Sequence, residues 1–357
     1  MKRYGVIALL SALTLLGACT QPFPDDAYVV GFYNVENLFD TEHDRGKSDE
    51  AFTPQGENAW TQDKYEVKQA NIARVIGEMA KKNGRWHALL GLAEVENARV
   101  LEDLVAQEEI ASAGYRFVHV EGPDVRGIDC ALLYRPDAFK VVETRTLPYD
   151  FNSPSGIVFE KTPQEQREFK TRDVLCVRGE LGGEKLAVYV CHWPSRTGNK
   201  GSDLRCRAAE IVHADILALE KRFPGIKVIV MGDMNDNPGD VCMTDYLRGR
   251  ETIAEMQEGD LFSPFLSMHK AGFGTEEYHG EWNIFDCIFV NGALAKPAEG
   301  TLGIRKSDAG YYGHVFNPPF LTQQEGRYAG TPFRTFSGGQ FIEGYSDHYP
   351  TYIIINK

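Results

Sequence analysis

The segment 228–235 most constrains the fold of this chain, because an apolar, β-branched run in it stops abruptly at a carboxylate. It reads Val-Ile-Val-Met-Gly-Asp-Met-Asn. Such a run is best buried as a strand, and in a strand residues i and i+2 point to the same side. Asp233 and Asn235 are therefore delivered side by side at the strand end. A carboxylate and a carboxamide at such a rim suit a hard metal ion and the phosphate it carries.

Other predicted strands end in the same way, each followed by one polar residue: 28–33 by Asn34, 88–93 by Glu94 and 186–191 by His192. Polar groups at strand ends gather in one crevice when the strands run the same way in a sheet. Asp347 and His348 stand just before the last predicted strand, 351–355. An antiparallel neighbour would place this pair at the same rim.

Each of these residues, taken alone, has an ordinary structural alternative. Asn34 would cap a turn, Glu94 would be a solvated carboxylate, and His192 would be a hydrogen-bonded structural histidine. The remaining polar residues at the rim would belong to turns or loops.

Asp286 is harder to explain structurally, because it stands inside the apolar run 284–290. A buried carboxylate needs a partner. Two histidines of the predicted rim are suitable, His348 and His192.

Taken together, these residues indicate a metal-dependent hydrolytic site. Glu94 supplies an oxygen ligand for Mg²⁺, with Mn²⁺ or Ca²⁺ as alternatives, and three neighbours complete or share the shell through water: Asn34, Asp233 and Asp347. Asp286 orients one imidazole and raises its basicity, so that this ring takes a proton from water.

The second imidazole has two alternative tasks, which the sequence leaves open. Assisted by Asp129, it either protonates the leaving oxygen or stabilises the crowded phosphate. The amides of Asn34 and Asn235 donate hydrogen bonds to phosphate oxygens.

The N-terminal segment has the features of an export signal. Lys2 and Arg3 precede the apolar run 6–16, which is too short for a comfortable membrane span. This predicts a signal peptide over residues 1–18. The sequence Leu-Gly-Ala-Cys at 16–19 resembles a bacterial lipobox, in which Cys19 becomes the lipidated first residue. An ordinary signal peptide with a chance cysteine is the alternative.

The predicted organisation is therefore a tether over 19–27 followed by one domain over 28–357, since no linker, repeat or low-complexity block divides the chain. The lipid would anchor the protein to the cell envelope. Thr20 replaces the aspartate that often retains lipoproteins at an inner membrane, so we expect the outer membrane or cell surface. No obligate protein partner is evident.

Composition excludes some classes of function. The formal net charge of -13 argues against a protein that coats nucleic acid by bulk attraction, although not against an enzyme that grips phosphate through a metal and a few arginines. Apart from Cys19, six cysteines remain, and four of them lie in or beside apolar strand-like runs: Cys130, Cys176, Cys191 and Cys287. We expect mostly reduced core cysteines. No CxxC or Cys/His cluster suggests zinc.

Apolar spacing predicts helices over 64–82 and 201–221, the first ending at Asn83-Gly84. The two runs around Gly182-Gly183 predict an antiparallel hairpin. Strands mixed with helices favour mixed sheets with helices outside them. The segment 307–344, rich in Gly, Pro and aromatic residues, is expected to be a long surface excursion near the site.

Seven short motifs together resemble the endonuclease/exonuclease/phosphatase superfamily, in the order expected of it. They are Tyr-Asn-Val-Glu-Asn at 33–37, Leu-Ala-Glu-Val-Glu-Asn at 92–97, Gly-Ile-Asp-Cys-Ala-Leu-Leu-Tyr at 127–134, Cys-His-Trp at 191–193, Gly-Asp-Met-Asn at 232–235, Phe-Asp-Cys-Ile at 285–288 and Ser-Asp-His-Tyr-Pro at 346–350. The resemblance implies a four-layer α/β/β/α sandwich with two facing mixed β-sheets, and metal-dependent phosphoester hydrolysis.

The resemblance also implies roles for single residues. Glu94 is the principal metal ligand, Asp347 a further metal-site residue, and His348 the water-activating base oriented by Asp286. Phosphate or metal contacts fall to Asn34, Asp233 and Asn235. His192 is similar to the second catalytic histidine of the deoxyribonuclease-I-like and sphingomyelinase-like branches.

For the substrate, the opening motif at Tyr33 resembles that of bacterial extracellular nucleases, which implies an exported nuclease acting on DNA, with RNA as an alternative. Six basic residues are candidates for holding neighbouring phosphates, or else form a solvated charged face: Arg126, Arg172, Arg196, Lys200, Arg205 and Arg207. A phosphatase or phospholipase-C-type enzyme acting on nucleotides, inositol phosphates or sphingomyelin is the second hypothesis. A binding protein that has lost its chemistry is the third.

Overall fold

The computed structural model describes residues 26–196, 201–278, 280–326 and 328–357. The predicted signal peptide, Cys19, most of the tether and Lys200 lie outside these residues. Among the residues that are described, no helix has the length and apolarity to cross a membrane.

The strands, in chain order, are β1 (Tyr28–Leu38), β2 (Leu89–Val95), β3 (Arg116–His119), β4 (Asp129–Tyr134), β5 (Phe139–Leu147), β6 (Val174–Leu181), β7 (Glu184–His192), β8 (Lys227–Asp233), β9 (Gly249–Arg250), β10 (Leu261–Phe262), β11 (Glu276–Tyr278), β12 (Glu281–Asn283), β13 (Asp286–Asn291), β14 (Gly303–Ile304), β15 (Gly313–Val315), β16 (Phe336–Ser337), β17 (Gln340–Phe341) and β18 (Thr351–Asn356).

The α-helices are α1 (Gln62–Asn83), α2 (Ala98–Val105), α3 (Glu108–Ala111), α4 (Pro163–Glu168), α5 (Ser202–Arg222), α6 (Leu266–Lys270) and α7 (Gly292–Ala295). Single turns of 3₁₀ or π geometry occur at Glu50–Phe52, Cys242–Tyr246, Ile253–Glu255 and Pro319–Leu321.

Most strands belong to two seven-stranded mixed sheets. Sheet I has the order β14-β18-β1-β2-β4-β3, with β15 also paired to β18. Sheet II has the order β5-β6-β7-β8-β13-β10-β9. Strands β1 and β2 are parallel, as are β7 and β8, so two polar strand ends of each sheet meet at one edge.

Alternate residues of β1 pack on opposite sides of sheet I. Val29 and Tyr33 share a buried cluster with Ile72 of α1, whereas Val30 and Phe32 share another with the strands of sheet II. Because both faces are covered, the strand is apolar at nearly every position. The order of layers is therefore helix, sheet, sheet, helix, which confirms the predicted four-layer sandwich.

The two sheets approach each other closely beneath the rim. Gly91 of β2 stands where a Cβ atom would lie 2.5 Å from the Sδ atom of Met231 on β8. Only a glycine allows the methionine of the opposing strand to pack there. The close contact fixes β2, which carries Glu94, against β8, which ends at Asp233.

The predicted hairpin is confirmed: β6 and β7 are antiparallel, and Gly182 and Gly183 have φ of 57° and 83° at their turn. The predicted helix stop is also confirmed, with Gly84 at φ 66° after α1. The segment 307–344 is more than a surface excursion, because β15 extends sheet I at β18.

The six cysteines that the structure describes divide into two groups. Four are free and buried, as expected: Cys130, Cys176, Cys191 and Cys287. The other two form a disulfide, Cys206–Cys242, across 36 residues. This bond joins α5 to the helical turn that follows β8.

His87, just before β2, predicts a specific acid sensitivity. The ring is fully buried and neither nitrogen has a hydrogen-bond partner among the described residues. Burial lowers the pKa of His87 from 6.5 to about 4. The unfolded chain therefore binds a proton that the folded chain excludes, and the stabilisation, complete above the unfolded pKa, is lost as the pH falls toward the folded pKa.

We expect the free energy of unfolding to fall by about 3 kcal/mol over this range through His87 alone, at about 1.4 kcal/mol per pKa unit. Urea unfolding at a series of pH values measures it. His87→Leu should flatten the pH dependence by that amount, whereas His213→Gln, a histidine change in α5, should not. An unchanged slope in His87→Leu contradicts the assignment.

Candidate active site

The register of the sheets brings the predicted residues together at one rim. In sheet II, His192 of β7 and Asp286 of β13 are the direct neighbours of Asp233 on β8. In sheet I, Asn34 of β1 lies opposite Ala93 of β2, one residue before Glu94. The loop before β18 adds Asp347 and His348.

The backbone at this rim is strained. Glu36, Asn37, Glu94 and Asn235 all have positive φ, between 49° and 66°. Non-glycine residues adopt this conformation at a cost, and such residues concentrate at functional sites. The β2 ladder is also irregular between Ala93 and Val95, so the strain and the bulge together set the direction of the Glu94 side chain.

His348 and Asp286 form a hydrogen-bonded dyad. The distance from Nδ1 of His348 to Oδ2 of Asp286 is 2.7 Å, and both side chains are buried. This contact identifies His348 as the partner that the sequence left open. The Nε2 atom on the other side of the ring lies 3.9 Å from Asp233 and 3.8 Å from Asp347.

The electrostatics of this ring follow from its neighbours. Burial lowers the pKa of His348, but the charge and hydrogen bond of Asp286, followed by the charges of Asp347 and Asp233, outweigh it and raise the pKa well above 6.5. Asp286 is therefore the main group that raises the basicity of this ring.

The pKa of His192 is shifted in the direction opposite to that of His348. Burial, followed by the charges of Arg172, Arg126 and His348, lowers its pKa well below 6.5. Its Nε2 atom is 3.7 Å from Glu94 and 3.6 Å from Asp233, whereas Nδ1 is buried with no hydrogen-bond partner in the described part of the chain. The lowered pKa favours the neutral ring, and a proton on Nε2 would face Glu94 and Asp233. Of the two tasks left open, donating a hydrogen bond to the phosphate fits this state better than supplying a proton.

We expect His192→Ala to lower kcat by about 10²-fold, the usual effect of removing one donor to a developing anion. His192→Asn, which keeps an N–H group, should recover part of the loss. Steady-state kinetics on a chromogenic phosphodiester measure both variants. If His192 instead protonates the leaving oxygen, the asparagine variant should be as slow as the alanine variant.

Two asparagines hold Asp233, one through its side-chain amide and the other through its backbone N–H. The Nδ2 atom of Asn34 donates to Oδ2 of Asp233 at 3.0 Å, and the backbone N–H of Asn235 donates to Oδ1 at 3.0 Å. The Asn235 side chain donates to the carbonyl of Trp193 at 3.1 Å. Since an NH₂ group has two N–H donors, each asparagine keeps one for a substrate oxygen. Burial raises the pKa of Asp233 to about 6.

The predicted metal ligands Glu94 and Asp347 lie at the mouth of the site. One carboxylate oxygen of Glu94 accepts a hydrogen bond from the backbone N–H of Asn37 at 2.9 Å. The side chain of Glu94 is 13% exposed and that of Asp347 is 28% exposed. Glu94 lies 3.7 Å from Nε2 of His192 and Asp347 lies 3.8 Å from Nε2 of His348, so each carboxylate stands beside one of the two imidazoles. Carboxylate oxygens that are open to solvent fit Mg²⁺, which binds through one or two carboxylates and keeps several waters.

The sequence did not reveal two charged residues behind these ligands, the half-buried Glu36 and the fully buried Lys68, which both contact Thr335. Glu36 accepts a hydrogen bond from the backbone N–H of Thr335 at 2.7 Å, and the ammonium group of Lys68 donates to Thr335 and to the carbonyl of Tyr345 at 2.6 and 2.7 Å. A signal was available: Lys68 stands one helical turn before Ile72, on the apolar face of α1.

Glu276 on β11 was also missed. One carboxylate oxygen is buried without a partner among the described residues. Burial raises its pKa to about 7, modified by the charges of His348 and Asp347. No pattern in the sequence distinguishes it, because its strand is short and forms a separate hairpin.

The predicted phosphate-binding arginines are mostly committed to protein partners. Arg172 contacts Asp124 and the carbonyl of Trp193, while Arg205 and Arg207 are buried in ion pairs rather than exposed as predicted. Arg196 donates to the carbonyl of Asn235 at 2.8 Å, contacts Asp236 and Asp240, and is 41% exposed. Arg126 is 47% exposed.

Asp129 does not assist an imidazole of the rim. It accepts a hydrogen bond from the backbone N–H of Gly122 at 3.0 Å and lies 3.7 Å from Nε2 of His119. That expectation was wrong, because residue 129 begins β4 beside the loop that carries Gly122.

Solved structures share this architecture. D. rerio TDP2 complexed with single strand DNA product is 16% identical with a TM-score of 0.52, and the alignment covers 93% of this chain and all 100% of that chain. A mannosyl-6-phosphatase of Bacteroides thetaiotaomicron is 18% identical with a TM-score of 0.54, covering 92% and 100%. The human Nocturnin catalytic domain with bound sulfate is 14% identical with a TM-score of 0.52, covering 93% and 94%.

At these identities the likenesses establish the fold alone. No curated protein matches the chain. A family model described as the Endonuclease/Exonuclease/phosphatase family matches residues 29–357. Since that match spans both sheets and every residue of the rim, the chain belongs to the endonuclease/exonuclease/phosphatase family.

Proposed function

We propose that this protein is a divalent-metal-dependent phosphodiesterase that hydrolyses nucleic acid, with DNA as its main substrate and RNA as an alternative. The observation that carries the proposal is the His348–Asp286 dyad at 2.7 Å, which faces Asp233 at the rim where His192 and Glu94 meet. A basic ring, a neutral donor and exposed carboxylates are what attack by water on a phosphodiester needs.

In the proposed mechanism, His348 accepts the proton of the attacking water at Nε2, while Asp286 holds the ring and stabilises the charge that develops on it. Asp233 lies within 4 Å of both imidazoles and orients the water. His192, Asn34 and Asn235 donate to the phosphate oxygens. Glu94 and Asp347 would hold a divalent ion, which would supply positive charge to stabilise the transition state.

The surface beside the dyad favours a nucleic-acid substrate. The hairpin β11–β12 leads directly to Asp286 and carries Trp282, which is 37% exposed and stacks on Tyr349 at 5.9 Å between ring centroids. Tyr278 at the hairpin tip is 60% exposed. Exposed aromatic rings stack on unpaired bases. The partly exposed Arg334 lies 4.0 Å from Asp347 of the rim and could contact a flanking phosphate, and Arg126, which is 47% exposed, is a second candidate.

The experiment compares single-stranded DNA, duplex DNA and RNA of the same sequence with Mg²⁺, followed by gel. We expect cleavage, strongest on single strands, and no cleavage by His348→Ala. Trp282→Ala should raise KM for single-stranded DNA, whereas Trp86→Ala, an aromatic change outside the rim, should not. Failure of the wild-type protein to cut any of the three overturns the nuclease proposal.

A second candidate is a phosphatase acting on small phosphorylated molecules. Its support is the pairing of Arg172 and Arg196 with carboxylates, which leaves few cations for a long polyanion, together with the net charge of -13. The mannosyl-6-phosphatase among the similar structures acts on such a compound. Release of inorganic phosphate from sugar phosphates, nucleotides or inositol phosphates, with DNA intact, favours this candidate. Release of choline phosphate from sphingomyelin vesicles instead favours the phospholipase-C-type alternative.

We further propose that the protein is exported and anchored through lipidated Cys19 to the outer membrane or cell surface. The Cys206–Cys242 disulfide supports an oxidising compartment. In Triton X-114 partitioning, we expect wild-type protein in the detergent phase and Cys19→Ser in the aqueous phase. Equal partitioning of the two overturns the anchor.

A further inference from the structure

A second group of carboxylates lies on the loop that leaves β1. Asp44 and Asp49 stand on this loop and Glu96 follows β2 directly. One ligand atom from each of the three residues lies within 4.8 Å of the others. Acidic groups are common on protein surfaces, so this proximity needs independent support.

The independent observation is an unpartnered oxygen on a buried carboxylate. Glu96 is only 2% exposed, and its Oε2 accepts a hydrogen bond from the backbone N–H of Asp40 at 2.7 Å. Its Oε1 is buried with no hydrogen-bond partner among the described residues. A buried carboxylate oxygen without a donor is costly unless a cation completes it.

The charges nearby are not balanced by side chains. Asp40 and Asp49 are also buried, at 4% and 2% exposure. Their cationic neighbours are His43, which contacts Asp49, and the half-exposed Arg99, which lies 3.6 Å from Asp40. In the part of the chain that is described, no Lys, Arg or His nitrogen lies within 4.0 Å of a carboxylate oxygen of Asp44 or Glu96.

We propose that Asp44, Asp49 and Glu96 bind a hard divalent cation, Ca²⁺ by preference, at a site separate from that of Glu94. Ca²⁺ takes six to eight oxygen ligands in flexible geometry, which suits carboxylates on a loop together with water and backbone carbonyls.

The position of the site gives the ion a structural task. The backbone N–H of Glu96 donates to the carbonyl of Leu38 at 3.1 Å, and that of Asn37 donates to Glu94 at 2.9 Å. An ion between Glu96 and the loop would fasten the ends of β1 and β2, and with them the strained backbone at Glu94. This inference does not depend on the substrate of the enzyme.

The experiment measures the thermal midpoint with and without Ca²⁺ in the whole protein. We expect Ca²⁺ to raise the Tm of the wild type and of Glu94→Gln by several degrees, and to leave Glu96→Gln and Asp44→Asn unshifted. Asp44 is only half buried, so its variant tests the proposal even where Glu96→Gln does not fold. Glu57→Gln, which removes an exposed charge from the same loop, should behave as the wild type.

A direct readout uses Tb³⁺ in place of Ca²⁺. Trp60 donates to the carbonyl of Phe39 at 3.1 Å, next to Asp40, and should sensitise Tb³⁺ luminescence at this site. We expect Asp44→Asn to weaken the luminescent binding by at least about tenfold and Glu94→Gln to leave it intact. The proposal is overturned if Asp44→Asn binds and responds as the wild type, or if only Glu94→Gln loses the response.

Discussion

Replacing His348 by alanine should lower kcat on a phosphodiester on the order of 10³- to 10⁴-fold, the upper part of the range for a lost general base. The reason is that the charge of Asp286 raises the pKa of the His348 ring and its hydrogen bond at 2.7 Å fixes the orientation of that ring. KM should change little, because the ring acts on the attacking water rather than on the substrate's remote groups.

A second prediction concerns Asp286, the other residue of the dyad. Asp286→Asn keeps the shape of the side chain but removes the charge that supports the imidazolium, so kcat should fall by about 10²-fold or more. The double variant His348→Ala/Asp286→Asn should be no slower than His348→Ala, because Asp286 acts through the ring. If the fold-reductions in kcat of the two single variants multiply in the double variant, the two residues act independently. His213→Ala is the control for removing a histidine elsewhere.

The fold was largely predictable because its strands carry strong local signals. Runs such as 228–231 are apolar at every position, which indicates burial on both faces, and a polar residue marks where each strand leaves the core. The Gly182-Gly183 turn and the Gly84 helix stop are likewise local. Strand order and register depend on contacts between distant segments, which a single sequence does not display.

The rim was predictable for the same reason, and its surroundings were not. Asp286 and His348 were identified because each interrupts an apolar or terminal pattern. Thr335 is 267 residues from Lys68, and nothing local links them. The arginines show the opposite failure. Their sequence suggests exposure, but Arg205 pairs with Asp236 and Arg207 with Asp150, carboxylates that only the fold brings near.

Glu94→Gln should lower kcat by about 10³-fold, equivalent to about 4 kcal/mol of transition-state stabilisation. Glutamine is isosteric and can still accept the hydrogen bond from the backbone N–H of Asn37, now 2.9 Å from Glu94. The rim and its strained backbone should therefore persist, and only the negative charge that holds a divalent ion is lost. Glu102→Gln on α2, an exposed glutamate, is the matched control.

The measurement is kcat as a function of Mg²⁺ concentration. For Glu94→Gln we expect the Mg²⁺ dependence to move to higher concentration or disappear, since Asp347 alone remains as a charged ligand. High Mg²⁺ should not restore the wild-type rate, because the ion would no longer be held where the phosphate charge develops. Full rescue would mean that Glu94 sets affinity only, and activity within tenfold of wild type at ordinary Mg²⁺ would place the ion elsewhere on the rim. An unchanged Tm response to Ca²⁺ in the same variant would separate this ion from the one at Asp44, Asp49 and Glu96.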